Sequence, residues 1–146
     1  TEMVIDRDLM RWQIRVASGD TLPMKQRDIR QRGVAMECRI NAEDPAHDFR
    51  PCPGRILDFR PPGGLGVRVD THACAGMTIS PWYDSMIAKL IVHRPTRNEA
   101  IACMQRCLEE FIIEPIHTTI PLHREIFAHT HFLKGQVDTG FIERTW

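Results

Sequence analysis

Between Val34 and Asn41 the chain alternates. Val34, Met36, Cys38 and Ile40 fall on one side, and Ala35, Glu37, Arg39 and Asn41 on the other. A period of two predicts a half-buried strand with an apolar back and a polar front. Met86 to Val92 is nearly all apolar, which predicts a strand buried on both faces. Arg55 to Arg60, Val67 to Thr71 and Met77 to Ser80 are further strand candidates.

Helical spacing marks the two ends of the chain. Asp6 can cap a helix running to Ser18, with Leu9, Trp12 and Val16 on one stripe and Gly19 ending it. Thr96 can cap a second, from Arg97 to Glu110, whose stripe is Ala100, Ile101, Met104, Leu108 and Phe111. A third is expected from Thr119 to His129, where Pro121 is tolerable because it falls in the first turn. A short helix is expected near Phe141. Thr21 to Gly33 is polar and irregular, and Ala42 to Gly54 is rich in proline turns. Strands in the middle and helices at both ends predict an α+β fold with a mainly antiparallel sheet.

Composition narrows the picture. Of 146 residues, 42% are hydrophobic and 26% charged, which favours a chain that buries a core over a disordered one. Lysine plus arginine and aspartate plus glutamate both number 19, so no global field favours nucleic acid or acidic lipid, and neither partner is expected. No apolar run approaches the roughly 20 residues needed to span a bilayer. Thr1-Glu2-Met3 carries no initiator methionine, basic leader or cleavage pattern, so a chain cut from a longer protein is expected. Five scattered cysteines without a C-x-x-C pair favour a reducing compartment and free thiols. Cys103 and Cys107 share a helix face and read as small core residues rather than ligands.

Candidate chemistry is sparse. Pro62-Gly63-Gly64-Leu65-Gly66 lacks the spacing and the lysine of a P-loop, and a tight turn needing positive φ is the better reading. None of the seven histidines shows the spacing of a zinc protease, so solvent-facing or capping roles are expected for them. Glu37, Arg39 and Asn41 form either a platform for an anion or a solvated sheet face. Asp84, at the head of the apolar strand, either caps a turn or orients an arginine.

The segment Met36-Glu37-Cys38-Arg39-Ile40-Asn41-Ala42-Glu43-Asp44-Pro45 resembles the E-C-R-I-N-A-E-D-P signature of biotin carboxylases. Thr1-Glu2-Met3 is similar to the end of their H-P-V-T-E-M segment. Pro61 to Arg68 and Tyr83 to Ile91 are similar to two further blocks, and the order of the blocks is preserved along the whole chain. The resemblance is strongest to the subunit of acetyl-CoA carboxylases, with propionyl-, methylcrotonyl- and pyruvate carboxylases sharing most blocks.

This resemblance implies the C-terminal domain of an ATP-grasp enzyme that uses ATP and Mg²⁺ or Mn²⁺ to activate bicarbonate and carboxylates biotin on its carrier. It implies that Arg39 contacts bicarbonate and the ureido oxygen of biotin, and that Asp84 orients Arg39 or a neighbouring arginine. Arg68 and Leu65 would lie at a homodimer interface, Leu65 standing where the family often has phenylalanine. Thr139 and Gly140 would lie near adenine. The implied partners are a biotin carboxyl carrier protein and carboxyltransferase subunits, and the implied location is cytoplasmic, or the mitochondrial matrix in a eukaryote. The nucleotide loop, metal-binding glutamates and general base of the family precede the position of Thr1, so residues 1–146 alone are expected to be inactive. Two other readings are a non-catalytic dimerisation or carrier-docking module, and a different ATP-grasp ligase such as a carbamoyl phosphate synthase relative.

Overall fold

The structure, a computed structural model, describes residues 1–146. The chain opens with one helical turn, α1 (Glu2–Ile5), and a helix, α2 (Leu9–Ala17). The cap of α2 is Asp8, whose carboxylate accepts from Arg11 N at 2.8 Å, and not the expected Asp6. Asp6 instead closes α1 at φ 52°, a left-handed conformation that a short polar side chain tolerates. No residue of α2 is buried, so the expected stripe does not meet the core. Leu9 and Trp12 are half-buried, while Met10 and Ile14 stand 64% and 66% exposed.

After a polar connection comes β1 (Val34–Asn41), with the bounds and the facing that its alternation predicts. Cys38 and Ile40 are buried, and Glu37 and Arg39 are exposed. A hairpin of β2 (Glu43–Asp44) and β3 (Arg50–Pro51) follows. The strand expected from Arg55 to Arg60 is two pieces, β4 (Gly54–Arg55) and β5 (Asp58–Arg60). They pair with different partners because the fully buried Ile56 turns inward between them. Next come β6 (Val67–Thr71), β7 (Thr78–Ile79) and β8 (Met86–Arg94).

The main sheet is antiparallel with order β1–β8–β6. Ala88, Leu90 and Val92 are buried on one side of β8, and among the odd-numbered residues Ile87 is buried while Lys89, Ile91 and His93 are half-buried. Burial on the second side is complete at Ile87 and only partial beyond it, short of the burial on both faces that the apolar run predicts.

The covering helix is α3 (Arg97–Glu110), begun by a capping box in which Thr96 N donates to Glu99 Oε2 at 3.0 Å and Glu99 N donates to Thr96 Oγ1 at 3.3 Å. Its stripe of Ala100, Ile101, Met104, Cys107 and Leu108 is buried against the apolar back of β1 and β8. Each large side chain buried in this way stabilises the fold by roughly 1.5–3 kcal/mol. A short strand, β9 (Ile112–Glu114), pairs with β5. Three helices complete the chain: α4 (Ile120–Ala128), α5 (Thr130–Leu133) and α6 (Phe141–Thr145). The overall class is α+β with antiparallel pairing throughout.

All five cysteines are free thiols. Cys38, Cys103 and Cys107 belong to the core, and Cys74 is exposed. The glycine loop before β6 is the tight turn that its composition predicts. Gly66 sits at φ 68°, and a Cβ there would collide with the carbonyl oxygen of His93.

Candidate functional site

The polar face of the sheet carries Arg39 and Arg68, two of the residues on which function was expected. Cross-strand register sets Arg39 opposite Lys89, and Lys89 opposite Asp70, in one row across β1, β8 and β6. The next row is Glu37, Ile91 and Arg68. Arg39 and Arg68 thus share a face, one on each side of β8.

Arg39 is held by its backbone and free at its tip. Its side chain is 70% exposed, and the nearest carboxylate is Glu37, with Oε1 at 4.0 Å from Nε. Its carbonyl accepts from Thr119 Oγ1 at 3.2 Å and His123 Nε2 at 2.9 Å. Lys89, directly opposite, adds a second positive charge on the same face. Asp70 is bound by Arg68 at 2.7 and 2.8 Å and forms no ion pair with Lys89. Two neighbouring cations on a rigid pleat repel each other and favour an anion between them.

Arg68 is the opposite case. Besides Asp70 it binds Glu2 Oε2 through Nη1 at 2.7 Å, and Glu2 Oε1 accepts from Leu9 N at 2.8 Å. Arg68 and then Leu9 N–H hold the Glu2 carboxyl below its usual range, and the two carboxylates in turn raise the Arg68 pKa. The cluster ties α1 and the start of α2 to β6. Leu65, expected beside it at an interface, is 87% exposed.

Asp84 does not reach Arg39. Its Oδ1 accepts from Met86 N at 2.7 Å, which is the turn-capping alternative of the two that the sequence left open. The carboxylate near Arg39 is Glu37, because the two share a strand face. Beyond Arg39 on β1, Asn41 Nδ2 donates to Glu43 Oε1 at 3.1 Å, and Ser85 Oγ also donates to that oxygen. Thr139 is exposed in the turn ahead of α6, where Asp138 accepts from Gly140 N at 3.0 Å and Arg144 Nη2 at 2.6 Å.

The histidines divide. His117 and His131 are exposed, and His129 accepts from His131 N at 3.2 Å as the cap of α5. His123 departs from expectation by turning toward β1, where burial lowers its pKa. No group of three or more His, Cys, Asp or Glu side chains is placed to hold a metal ion. The donors that a carboxylase metal needs are therefore not assembled from residues 1–146.

Two clefts flank this sheet. One of about 640 Å³ runs between Asp44, His47, His117 and Trp146 over an apolar floor that includes Phe111 and Ile120. Burial alone would raise the Asp44 pKa, but hydrogen bonds from His47 and Ala46 N outweigh it and leave the carboxyl below its usual range. The other cleft, of about 770 Å³, lies beside Glu2, Arg68 and His93 under α1 and α2.

The profile of the family described as "Biotin carboxylase C-terminal domain" matches residues 37–144. The chain belongs to that family. Biotin carboxylase 1 of Bacillus subtilis is 54% identical over 143 residues, 98% of this chain and 32% of that protein. A pyruvate carboxylase subunit of Methanothermobacter thermautotrophicus is 50% identical over 143 residues, 98% of this chain and 29% of that protein. The biotin carboxylase domain dimer of the Hydrogenobacter thermophilus 2-oxoglutarate carboxylase, solved with MgADP, ADP and bicarbonate, superposes with a TM-score of 0.95. Its identity is 43%, over 98% of this chain and 32% of that chain. This biotin carboxylase C-terminal domain therefore spans about a third of the relatives it matches.

Proposed function

We propose that this domain forms part of an ATP-dependent biotin carboxylase and supplies the arginine that meets the anionic reactants. In that reaction bicarbonate attacks the γ-phosphate of ATP to give carboxyphosphate and ADP. Biotin then gives its ureido proton to a base and takes the carboxyl group as the C–O bond of carboxyphosphate breaks, and phosphate leaves. The observation that carries the reading is the state of Arg39. Its backbone is fixed on a rigid strand, its guanidinium is exposed, and no carboxylate lies within direct hydrogen-bonding distance of it.

A guanidinium has its donors in a fixed planar fork, which suits both the planar bicarbonate anion and the ureido oxygen of biotin. Deprotonating the ureido nitrogen moves negative charge onto that oxygen, and a donor already in place stabilises it without reorganising. ATP and the metal would supply the phosphoryl chemistry, with the metal ligands and most ATP contacts proposed to lie outside residues 1–146. Thr139 and Gly140 are proposed to lie on the adenine side, and Arg68 and Leu65 near a homodimer contact. Biotin on its carrier protein is the proposed substrate. Carboxyltransferase subunits are the proposed recipients of the carboxyl group, with acetyl-CoA as final acceptor in fatty acid biosynthesis in the cytoplasm. The similarity to a pyruvate carboxylase keeps pyruvate as the second acceptor.

The test is ATP-dependent carboxylation of free biotin by the full-length protein and its Arg39→Ala variant. The expected result is turnover in the first and its near loss in the second. Equal turnover would remove Arg39 from the reaction.

A further inference from the structure

β1 is an edge strand, so along its outer side the backbone groups of Arg39 and Asn41 have no neighbouring strand to pair with. The N-terminal turn of α4 takes that place. Thr119 N donates to Asn41 O at 3.1 Å, and Asn41 N donates to Thr119 Oγ1 at 3.0 Å. The same hydroxyl passes its own proton to Arg39 O at 3.2 Å, so it both accepts and donates. His123, one helical turn into α4, brings Nε2 to Arg39 O at 2.9 Å.

The chemistry of this contact is constrained. A carbonyl oxygen only accepts, so the proton sits on Nε2 of His123. Burial pushes the imidazole pKa down, which keeps the ring neutral and Nδ1 unprotonated. Both lone pairs of the Arg39 carbonyl are then used by side chains of one helix and its cap. Thr119 lies 80 residues from Arg39 in sequence and His123 lies 84.

The guanidinium of Arg39 has no comparable grip, since Glu37 lies 4.0 Å away. A long side chain with a loose tip is aimed mainly through the direction of its own Cα–Cβ bond, which the flanking peptide planes set. The geometry points to His123 and Thr119 as positioning residues that lock the peptide after Arg39 and so direct its guanidinium toward the anionic reactants. The kinetic part of this inference rests on the carboxylase reading above, and the backbone part does not.

Two measurements test it. In this chain, hydrogen exchange compares the Asn41 amide with amides of α3, such as Met104 and Leu108. His123→Ala is expected to speed exchange at Asn41 by about tenfold or more while α3 is unchanged. Thr119→Val, which removes the hydroxyl and keeps the shape, is expected to act in the same direction and serves if the first variant folds poorly.

In the full-length protein, His123→Ala is expected to lower kcat for biotin carboxylation by about tenfold to a hundredfold, with KM for ATP unchanged. His123→Gln, which keeps an N–H donor at similar reach, is expected to recover most of the loss. Unchanged exchange at Asn41 with unchanged kcat would overturn the inference. So would a loss of protection across α3, which would make His123 a general support of the fold. Normal turnover in Arg39→Ala would remove Arg39 from the reaction and with it the kinetic part, and exchange at Asn41 would still decide the backbone part by itself.

Discussion

Arg39 and Arg68 stand on the same face of one sheet, on strands that flank β8, yet their surroundings differ in kind. Arg68 commits Nε, Nη1 and Nη2 to Asp70 and Glu2, and so joins the first helical turn of the chain to the sheet. Arg39 is anchored behind its Cα by α4, and its guanidinium has no close partner. Where a charge is saturated by its own chain it holds the fold together. Where the backbone is fixed and the charge is left open, the site can receive an anion. The contrast sets an arginine bound within its own chain beside one left open to solvent, although both sit in segments that resemble blocks of the family.

The contrast can be broken most directly at Arg39. Arg39→Ala is expected to cost the full-length enzyme about 10²–10³-fold in kcat, the loss typical of one donor to a developing oxyanion. Urea denaturation of the same variant is expected to move by no more than about 0.5 kcal/mol, as for an exposed side chain without strong partners.

Gly66→Ala probes the other flank. Its positive φ and the close His93 carbonyl predict a destabilisation of about 1–3 kcal/mol, read from the urea midpoint, because the entry to β6 must distort.

Arg68→Met should shift that midpoint less than Gly66→Ala does but more than Arg39→Met, and its signature is pH dependence. The Glu2 carboxyl is held below its ordinary value in the folded chain. Its contribution to stability is therefore fully present above the unfolded-state pKa and fades as pH falls through the folded-state pKa. Removing Arg68 should flatten the acid limb of stability against pH in that window. An unchanged limb would mean that Glu2 is not held by Arg68 in solution.

Asp84→Asn has the smallest expected effect. Its amide oxygen can still accept from Met86 N, so stability should stay within about 0.5 kcal/mol. A fall in kcat without a fall in stability would restore Asp84 to the reacting centre and bring it closer to Arg39 in kind.

Much of this was legible in the chain itself. β1 and α3 take the bounds that alternation and the Thr96 cap predict, and β6 takes the bounds of its strand candidate, because each is governed by local pattern. The polar front of β1 was equally plain, and so was the resemblance that named Arg39. The errors lie where a partner distant in sequence decides the outcome. Ile56 breaks a strand in two because the core claims it, and β9 exists because β5 is there to pair with it. The side chain of Thr119 makes no cap hydrogen bond to its own helix and is committed to β1 instead. The part played by His123 depends wholly on a strand met 84 residues earlier, and no spacing rule could reveal it. Asp6 was the expected cap, but the chain breaks between α1 and α2, and Asp8 caps the second helix instead.

The distribution of thiols has a practical consequence at the bench. Burial pushes Cys38 up to about 12 and Cys107 up to about 11, so near neutral pH neither offers thiolate to an electrophile, and Cys103 is enclosed beside Cys107. Cys74 lies exposed between β6 and β7, and Cys52 is only half-covered. A maleimide dye should therefore attach first at Cys74. That connection offers a point for a fluorescent reporter on the intact domain while the thiols packed beneath the sheet stay unmodified.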